Sequence, residues 1–410
     1  MNDPAGRILP SLRAGESVFL PGSTGEVPAL SAALAAGQGP TLDITASFVP
    51  GINPSLAGKL PDGTRFTSPF AGGARGGQMA GAMRQLPLSY GAFRRHIERS
   101  RFDAIVVQVA PPDATGRASL GAAVEFTPIT LRRAGRIIAV VNSNVPSIPG
   151  ADSIDLADAD LVVETDAALR EYDVGAPSPQ SDAIARNVAS FIEDGAALQT
   201  GLGKVPDALL RLLCDRKRIR LHSGMLSDGA RLLSDAGALD PDYRHVSCVH
   251  VGTRGYYDWL DGRDDFAVRG CDITHSAAGL GAVAGLVAVN SALSVDLFGQ
   301  ANLEFLDGRA VSGVGGAADF ARAASLSFDG ISIIALPAAS VDGGISRIVA
   351  RLDGVVSLPR QDIDIVVTDF GAADLRGASV IERAERLIAI AAPAHQAKLE
   401  TAWREIAAKI

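Results

Sequence analysis

Short apolar runs that end in glycine-rich loops are the feature that most constrains the fold of this 410-residue chain. One run is residues 17–20 (SVFL), which is followed by the loop PGSTG and a predicted helix over 27–34. Another is residues 197–199 (ALQ), followed by TGLG and a predicted helix through Leu213. Buried parallel strands have this composition, and a helix returns the chain to the next strand. The pattern predicts an α/β protein.

The two halves of the chain resemble each other in two places. The helix starts at 25–30 (GEVPAL) and 203–209 (GKVPDAL) are similar, and each has proline in a first turn, where a missing N–H costs nothing. The predicted strands at 103–107 and 364–369 each lead into a glycine loop. Two similarities in the same order predict two related, open, mainly parallel α/β domains. Chance similarity between α/β units is the alternative.

A Pro/Gly/Ser-rich segment at 171–179 (EYDVGAPSP) marks the predicted domain boundary. It separates a predicted strand at 160–164 from a predicted helix at 182–194, which Ser181 or Asp182 would cap. The predicted domains are therefore residues 1–175 and 182–410, and a length of two ordinary domains agrees with this division. The C-terminal segment 380–410 is predicted to form two helices that Pro393 interrupts.

Composition argues against several classes of partner. The net charge is −8 and the basic run at 214–218 is short, so it indicates a solvated helix end and no nucleic-acid site. The uncharged stretch 273–295 is long enough to span a bilayer, but its polar residues and acidic flanks predict buried elements of a soluble core and no membrane contact. With three cysteines and no signal pattern, a cytoplasmic location is expected.

Cys248 and His250 lie two residues apart, a spacing that two metal ligands can have. No second ligand cluster is visible in the sequence. We therefore interpret Cys248 as a buried strand residue and expect no metal ion.

Several motifs occur in a fixed order along the chain, densest after residue 100. They are 108–121 (QVAPPDATGRASLG), 141–146 (VNSNVP), 198–208 (LQTGLGKVPDA), 221–229 (LHSGMLSDG), 296–300 (DLFGQ), 312–320 (SGVGGAADF), 346–349 (SRIV), 366–371 (VVTDFG), 375–377 (LRG) and 382–384 (ERA). Each motif is weak alone. Together they resemble the acetyl-CoA hydrolase/CoA-transferase family, including 4-hydroxybutyrate CoA-transferase.

The resemblance implies a class I CoA-transferase fold, with acyl-CoA bound between the domains as substrate, a carboxylate as acceptor and a homodimeric assembly. In that family a glutamate in the strip resembling 221–229 attacks the thioester and later carries CoA as a glutamyl thioester. A carboxylate suits this role because both of its acyl intermediates stay reactive.

Gly224 occupies the position that matches the family's nucleophilic glutamate. Glycine has no side chain to attack the thioester, and Ser223 or Ser227 would form an ordinary ester. One interpretation is a backbone requirement or drift in an inactive protein. The other is that a small residue makes room for a bulkier acyl group, a water molecule or a carboxylate from elsewhere.

Three further residues are candidates for the missing chemistry. Glu26 and Glu125 follow motifs expected near the cleft, although each is also explained as a structural residue, Glu26 by the charge preference of a helix start. His222 would face the same side of a strand as position 224, so it is either a structural histidine or a general base for water.

Two glycine loops are candidate oxyanion and CoA-binding elements. Glycines let the backbone approach a ligand and direct N–H groups at an oxygen atom. The residues concerned are Gly201, Leu202 and Gly203 in one loop and Gly313, Val314, Gly315 and Gly316 in the other. Two hypotheses follow: an enzyme that transfers CoA or hydrolyses its thioesters, with the glutamyl-CoA route in doubt, or a non-catalytic acyl-CoA binding or regulatory protein.

Overall fold

The structure, a computed structural model, describes residues 3–53, 56, 60–71 and 82–410. In the first half the strands are β1 Ser17–Leu20, β2 Asp43–Ala46, β3 Arg65–Ser68, β4 Met83–Gln85, β5 Ala104–Val109, β6 Arg117–Ser119, β7 Ile137–Asn142, β8 Ser153–Asp155 and β9 Leu161–Thr165. Seven of them form a parallel sheet in the order β4-β3-β2-β1-β5-β7-β9, and β6 pairs with β8. All six residues of β5 are buried, as expected for a strand covered on both faces.

The second half contains a similar but larger sheet. Its strands are β10 Ala197–Thr200, β11 Arg220–Leu226, β12 His245–His250, β13 Phe266–Val268, β14 Leu286–Ser291, β15 Ser294–Asp296, β16 Ala301–Asn302, β17 Phe305–Leu306, β18 Arg309–Ala310, β19 Ile331–Ala335, β20 Ile348–Val349, β21 Ile365–Thr368 and β22 Gly371–Asp374. The main sheet has the order β13-β12-β11-β10-β14-β19-β21-β22, with only β22 antiparallel to its neighbour.

Thirteen α-helices connect the strands within the described residues. They are α1 Pro4–Ile8, α2 Pro28–Ala35, α3 Tyr90–Arg99, α4 Thr127–Leu131, α5 Pro179–Ala189, α6 Lys204–Leu212, α7 Asp228–Asp235, α8 Arg254–Leu260, α9 Cys271–Thr274, α10 Ala277–Gly281, α11 Ala317–Leu326, α12 Val380–Ala389 and α13 Pro393–Ala407. Within the part of the chain that the structure covers, none of the helices combines the length and apolar character that crossing a bilayer requires.

The two main sheets have the same topology. Strands β1 and β10 lie at equivalent places: β1 pairs with β2 and β5, and β10 pairs with β11 and β14. The predicted class, two related and mainly parallel α/β units, is confirmed. The predicted equivalence of the strands at 103–107 and 364–369 was wrong, because β21 occupies the place of β9 in the sheet and not that of β5. The division at residues 176–181 stays a prediction.

Helix α5 differs from its prediction over 182–194. It starts at Pro179, and its N-cap is Ser178, which exchanges hydrogen bonds with Ser181. Neither Ser181 nor Asp182 is the cap. The signal was missed because the residue three positions after the cap is serine, whereas the usual capping box has Glu or Gln there. Helices α12 and α13 are separated at Pro393 as predicted.

A loop from the first half packs against β12 of the second. The Val124 N–H donates to the Cys248 carbonyl at 3.0 Å, and the His250 N–H donates to the Ala122 carbonyl at 2.7 Å. One buried apolar core contains side chains from both halves. These contacts hold the loop after β6 against β12.

Candidate functional site

A cavity of about 250 Å³ lies at the carboxyl ends of β10, β11 and β14. Strands β11 to β13 lie on one side of β10 in the sheet, and β14 and the strands after it lie on the other side. The strand order therefore reverses beside β10, and open α/β sheets bind ligands at such topological switch points. None of the described lining residues has an acidic or basic side chain other than His275. The lining consists of Val49, Phe70, Tyr90, Gln199, Thr200, Gly201, Leu202, Gly224, Met225, His275, Asn290, Ser291, Leu303, Ser312, Gly313, Val314, Gly315, Gly316, Ala317 and Phe320.

The two predicted glycine loops meet at this cavity. Six of the seven predicted loop residues line it. The seventh, Gly203, lies outside the wall and is the N-cap of α6, with a φ of +125°. Among the described residues, the N–H groups of Val314 and Gly316 have no hydrogen-bond acceptor, whereas Gly315 forms a parallel β-bridge with Ser89. These N–H groups are therefore available to an oxygen atom of a ligand.

Helices α6 and α11 both begin beside these loops. Their N-caps are Gly203 and Gly316, and neither cap has a side-chain hydrogen bond to the helix. Uncapped first-turn N–H groups and the helix dipole favour negative charge at this end. The cavity is thus electrostatically suited to an oxygen that gains negative charge.

Gly224 lies in β11 and forms part of the cavity wall. Its φ lies outside the left-handed range, so its backbone conformation does not require glycine, and drift in an inactive protein stays the remaining part of that interpretation. A Cβ atom there would stand 3.1 Å from His275 Nε2, 3.3 Å from His275 Cε1 and 3.5 Å from Phe320 Cε2. Space explains the glycine, because the imidazole of His275 occupies the room that a side chain would need.

His275 is the residue that sequence reasoning missed at the cavity, where we had placed it only within an uncharged core stretch. Its Nδ1 lies 2.8 Å from the hydroxyl of Thr274, and that hydroxyl donates to the Gly270 carbonyl. The hydroxyl therefore accepts from Nδ1–H, which leaves a lone pair on Nε2. Burial, with a smaller effect of His222, lowers the pKa of His275 to about 3, so the ring is neutral at physiological pH.

His222 lies behind His275 and does not line the cavity. Its ring packs edge-on against Phe320, on the same side of β11 as position 224. Burial lowers the pKa of His222, and its Nε2 has no hydrogen-bond partner among the described residues. Because His222 does not line the cavity, its position favours a role in supporting His275 over direct contact with a ligand.

The carboxylate of Glu125 lies between the loops that follow β1 and β2. Ser23 Oγ donates to one oxygen at 3.0 Å and Ser47 Oγ to the other at 2.6 Å. Burial raises the pKa of Glu125 to about 7, although the serine hydrogen bonds oppose this shift. Its φ of +39° is uncommon for a residue other than glycine. Tyr90, whose hydroxyl is 3.5 Å from the carboxylate, stands between Glu125 and the cavity.

Glu26 is held in an ion pair outside this cavity. Its two carboxylate oxygens accept hydrogen bonds from Arg170 at 2.8 and 2.9 Å, and Asn53 Nδ2 donates at 2.8 Å. Because both carboxylate oxygens are already hydrogen-bonded, the surroundings of Glu26 favour a structural role. Of the four predicted catalytic positions, only Gly224 reaches the cavity wall.

Comparison with known proteins identifies the family of this chain. Residues 81–170 match the acetyl-CoA hydrolase/transferase N-terminal domain, and residues 252–403 match the C-terminal domain of the same family. The chain therefore belongs to the acetyl-CoA hydrolase/transferase family.

The similar proteins include both enzyme types of that family. The 4-hydroxybutyrate coenzyme A transferase of Clostridium kluyveri is 35% identical over 75% of this chain and 74% of its own. The acetyl-CoA hydrolase of Kluyveromyces lactis is 28% identical over 73% of this chain and 65% of its own. The predicted reaction class, CoA transfer or acyl-CoA hydrolysis by an enzyme, is confirmed at that level.

Solved structures show the same fold over nearly the whole chain. RipA from Yersinia pestis is 26% identical, with a TM-score of 0.88 and coverage of 98% of this chain and 96% of its own. The 4-hydroxybutyrate CoA-transferase from Porphyromonas gingivalis is 27% identical, with a TM-score of 0.80 and coverage of 98% and 97%.

Proposed function

We propose that this protein hydrolyses an acyl-CoA thioester by direct attack of water, without a covalent enzyme intermediate. The observation that carries the proposal is the cavity itself: free backbone N–H groups and a neutral imidazole line it, and no carboxylate reaches it among the described residues. The mechanism that the family resemblance implies, in which a glutamate attacks the thioester, has no side chain available at Gly224.

The glycine loop 313–316 provides the electrophilic part of the proposed site. The thioester carbonyl oxygen would accept hydrogen bonds from the N–H groups of Val314 and Gly316. Because these groups are fixed before the substrate arrives, they stabilise the charge that develops on the oxygen, an effect often worth ~3–4 kcal/mol. The starts of α6 and α11 add to the same field.

His275 provides a hydrogen-bond acceptor that orients the attacking water, since a ring with a pKa of about 3 is too weak a base to hold the proton. Its Nε2 lone pair faces the space beside Gly224, so a water molecule there can donate one hydrogen to Nε2 and direct an oxygen lone pair at the carbonyl carbon. A C–O bond forms and the C–S bond then breaks. The proton removed from water passes to the CoA thiolate, and the products are a carboxylic acid and CoA thiol.

A panel of acyl-CoA substrates, assayed by release of free thiol with and without carboxylate acceptors, tests the proposal. We expect thiol release that does not depend on an acceptor, and at least a hundredfold loss in the His275→Ala variant. Cys214→Ser is the matched control, because Cys214 does not line the cavity and its thiol lies near the Leu210 carbonyl.

Two results would contradict the proposal. Turnover that requires a carboxylate acceptor would assign the protein to CoA transfer. Binding of acyl-CoA without any thiol release would favour the non-catalytic binding protein, which has the same fold and the same loops.

A further inference from the structure

Three potential metal ligands lie together beside the proposed site. The thiols of Cys248 and Cys271 and one ring nitrogen of His275 are all within 4.8 Å of one another, and all three residues are buried. The sequence suggested Cys248 and His250 as a pair of ligands, but the structure places Cys248 beside Cys271 and His275. His250 is instead hydrogen-bonded to Ser247 and Tyr256 at 2.8 and 2.7 Å.

We propose that Cys248, Cys271 and His275 bind a divalent cation of the zinc type, with its fourth coordination position open to the cavity. The proposal rests on the proposed function, since the ion would activate the same attacking water. Two thiolates and one imidazole with a bound water form a ligand set known from catalytic zinc sites.

The ligands come from elements that the fold holds rigidly together. Cys248 is in β12, and Cys271 begins α9, one helical turn before His275. The Cys271 N–H donates to the Glu125 carbonyl at 2.7 Å, and the Cys248 carbonyl accepts from the Val124 N–H at 3.0 Å. The same loop therefore fixes both cysteine backbones.

Only small movements are needed to close the site. Zn–S bonds of about 2.3 Å and a Zn–N bond of about 2.0 Å place tetrahedral ligand atoms about 3.5–3.8 Å apart. The present separations of up to 4.8 Å shorten to this range if the side chains rotate. Cys248 Sγ, which now donates to the Gly224 carbonyl at 3.0 Å, would turn toward the ion.

The charges and the outer shell agree with a divalent ion. Binding would release the two thiol protons, and two thiolates would neutralise the ion in an apolar core. If Nε2 is the ligand, Nδ1–H keeps its bond to Thr274, the outer-shell hydrogen bond that metal-bound histidines usually make.

The open position would lie where position 224 has no side chain. His275 is both a member of the cluster and part of the cavity wall, whereas the two cysteines do not line the cavity. A Cβ atom at position 224 would stand 3.1 Å from His275 Nε2, in the space that a metal-bound water requires. If Nε2 were a ligand of the ion, it could not also accept a hydrogen bond from water, and the ion would instead activate that water by lowering its pKa.

Metal analysis of the purified full chain, and titration of the metal-free chain with Co²⁺, test this proposal. We expect about one ion per chain and a thiolate-to-cobalt charge-transfer band. Cys248→Ser and Cys271→Ser should each weaken binding at least tenfold and reduce the band at saturating Co²⁺ to about half, since one thiolate remains in each; the double variant should lose the band. Thr274→Val should weaken binding tenfold to a hundredfold while keeping the band.

Cys214→Ser is the matched control, because Cys214 is the one cysteine outside the cluster, and it should keep both the ion and the band. The wild-type spectrum needs no variant to fold. Absence of the band, or a band that Cys214→Ser abolishes, would overturn the proposal. Thiol release that persists fully without metal would also overturn it but leave hydrolysis standing, whereas a bound ion without thiol release would refute hydrolysis and leave the metal site.

Discussion

Replacing Gly224 by alanine tests whether the cavity depends on the position of His275. The new Cβ would meet Nε2 at 3.1 Å and Cε1 at 3.3 Å, whereas carbon contacts are optimal at about 3.5–4.0 Å, so the ring must move by roughly 0.5 Å. The ring packs 4.9 Å from Phe320 and 5.1 Å from Tyr90, centroid to centroid, which limits that movement. We expect overpacking to cost about 1 kcal/mol of unfolding free energy.

Activity should fall more than stability. Displacement of about 1 Å in an active site can cost a hundredfold, so we expect roughly a tenfold loss of kcat/KM from roughly half that movement. Denaturant unfolding and thiol release measure the two effects. Gly255→Ala is the control, because its Cβ would meet only ordinary contacts at 3.9 Å. A Gly224→Ala protein with wild-type kcat/KM would refute the role of His275.

A glutamate at position 224 would meet the same steric obstacle as alanine, the ring of His275. Gly224→Glu alone should not form a covalent CoA adduct, because its side chain and His275 compete for one space and its charge enters an uncharged cavity. The double variant Gly224→Glu/His275→Ala removes that competition. We expect the adduct in the double variant only, as measured by intact-protein mass spectrometry; an adduct in the single variant would contradict the steric account.

Two further predictions concern groups outside the cavity. Glu26→Gln should cost about 2 kcal/mol of stability, since it removes the charge that Arg170 contacts twice. It should change kcat/KM by less than about twofold. A large loss of kcat/KM at wild-type stability would contradict a structural role. Burial lowers the pKa of His245 to about 4, so the unfolded chain binds this proton more readily. The contribution of His245 should be constant above pH ~6.5 and lower the stability by about 3 kcal/mol as the pH drops to ~4. The buried His250 and His275, whose pKa values burial also lowers, add a further loss over the same range. Denaturant unfolding against pH measures this, and His245→Asn should have a shallower acid slope; an unchanged slope would exclude His245 as its source.

The sequence predicted the central strands well because their signal is local. Runs such as 17–20 and 197–199 are apolar and end in glycine, and both became central strands. The similarity between 103–107 and 364–369 misled because any two buried strands share a β-branched composition. Topology, which depends on pairing between distant segments, decided the true equivalence of β21 and β9.

The site was only partly predictable for a related reason. Glycine loops identify themselves by composition, and six of their seven predicted residues line the cavity. The role of His275 depends on its distance from Gly224, which is 51 positions earlier in the sequence and is brought close only by folding. The spacing of Cys271 and His275, one helical turn apart, was the available signal for the cluster with Cys248.

Turnover of acyl-CoA in oxygen-18 water tests the central claim most directly. Direct attack by water places the label in the released acid and none in the protein, and mass spectrometry of both products measures this. In the covalent route the oxygen given to the acid comes from an enzyme carboxylate, which the solvent then relabels. We predict labelled acid, unlabelled protein and no bound CoA. Label in a protein carboxylate, at Glu125 or any other residue, would contradict the account.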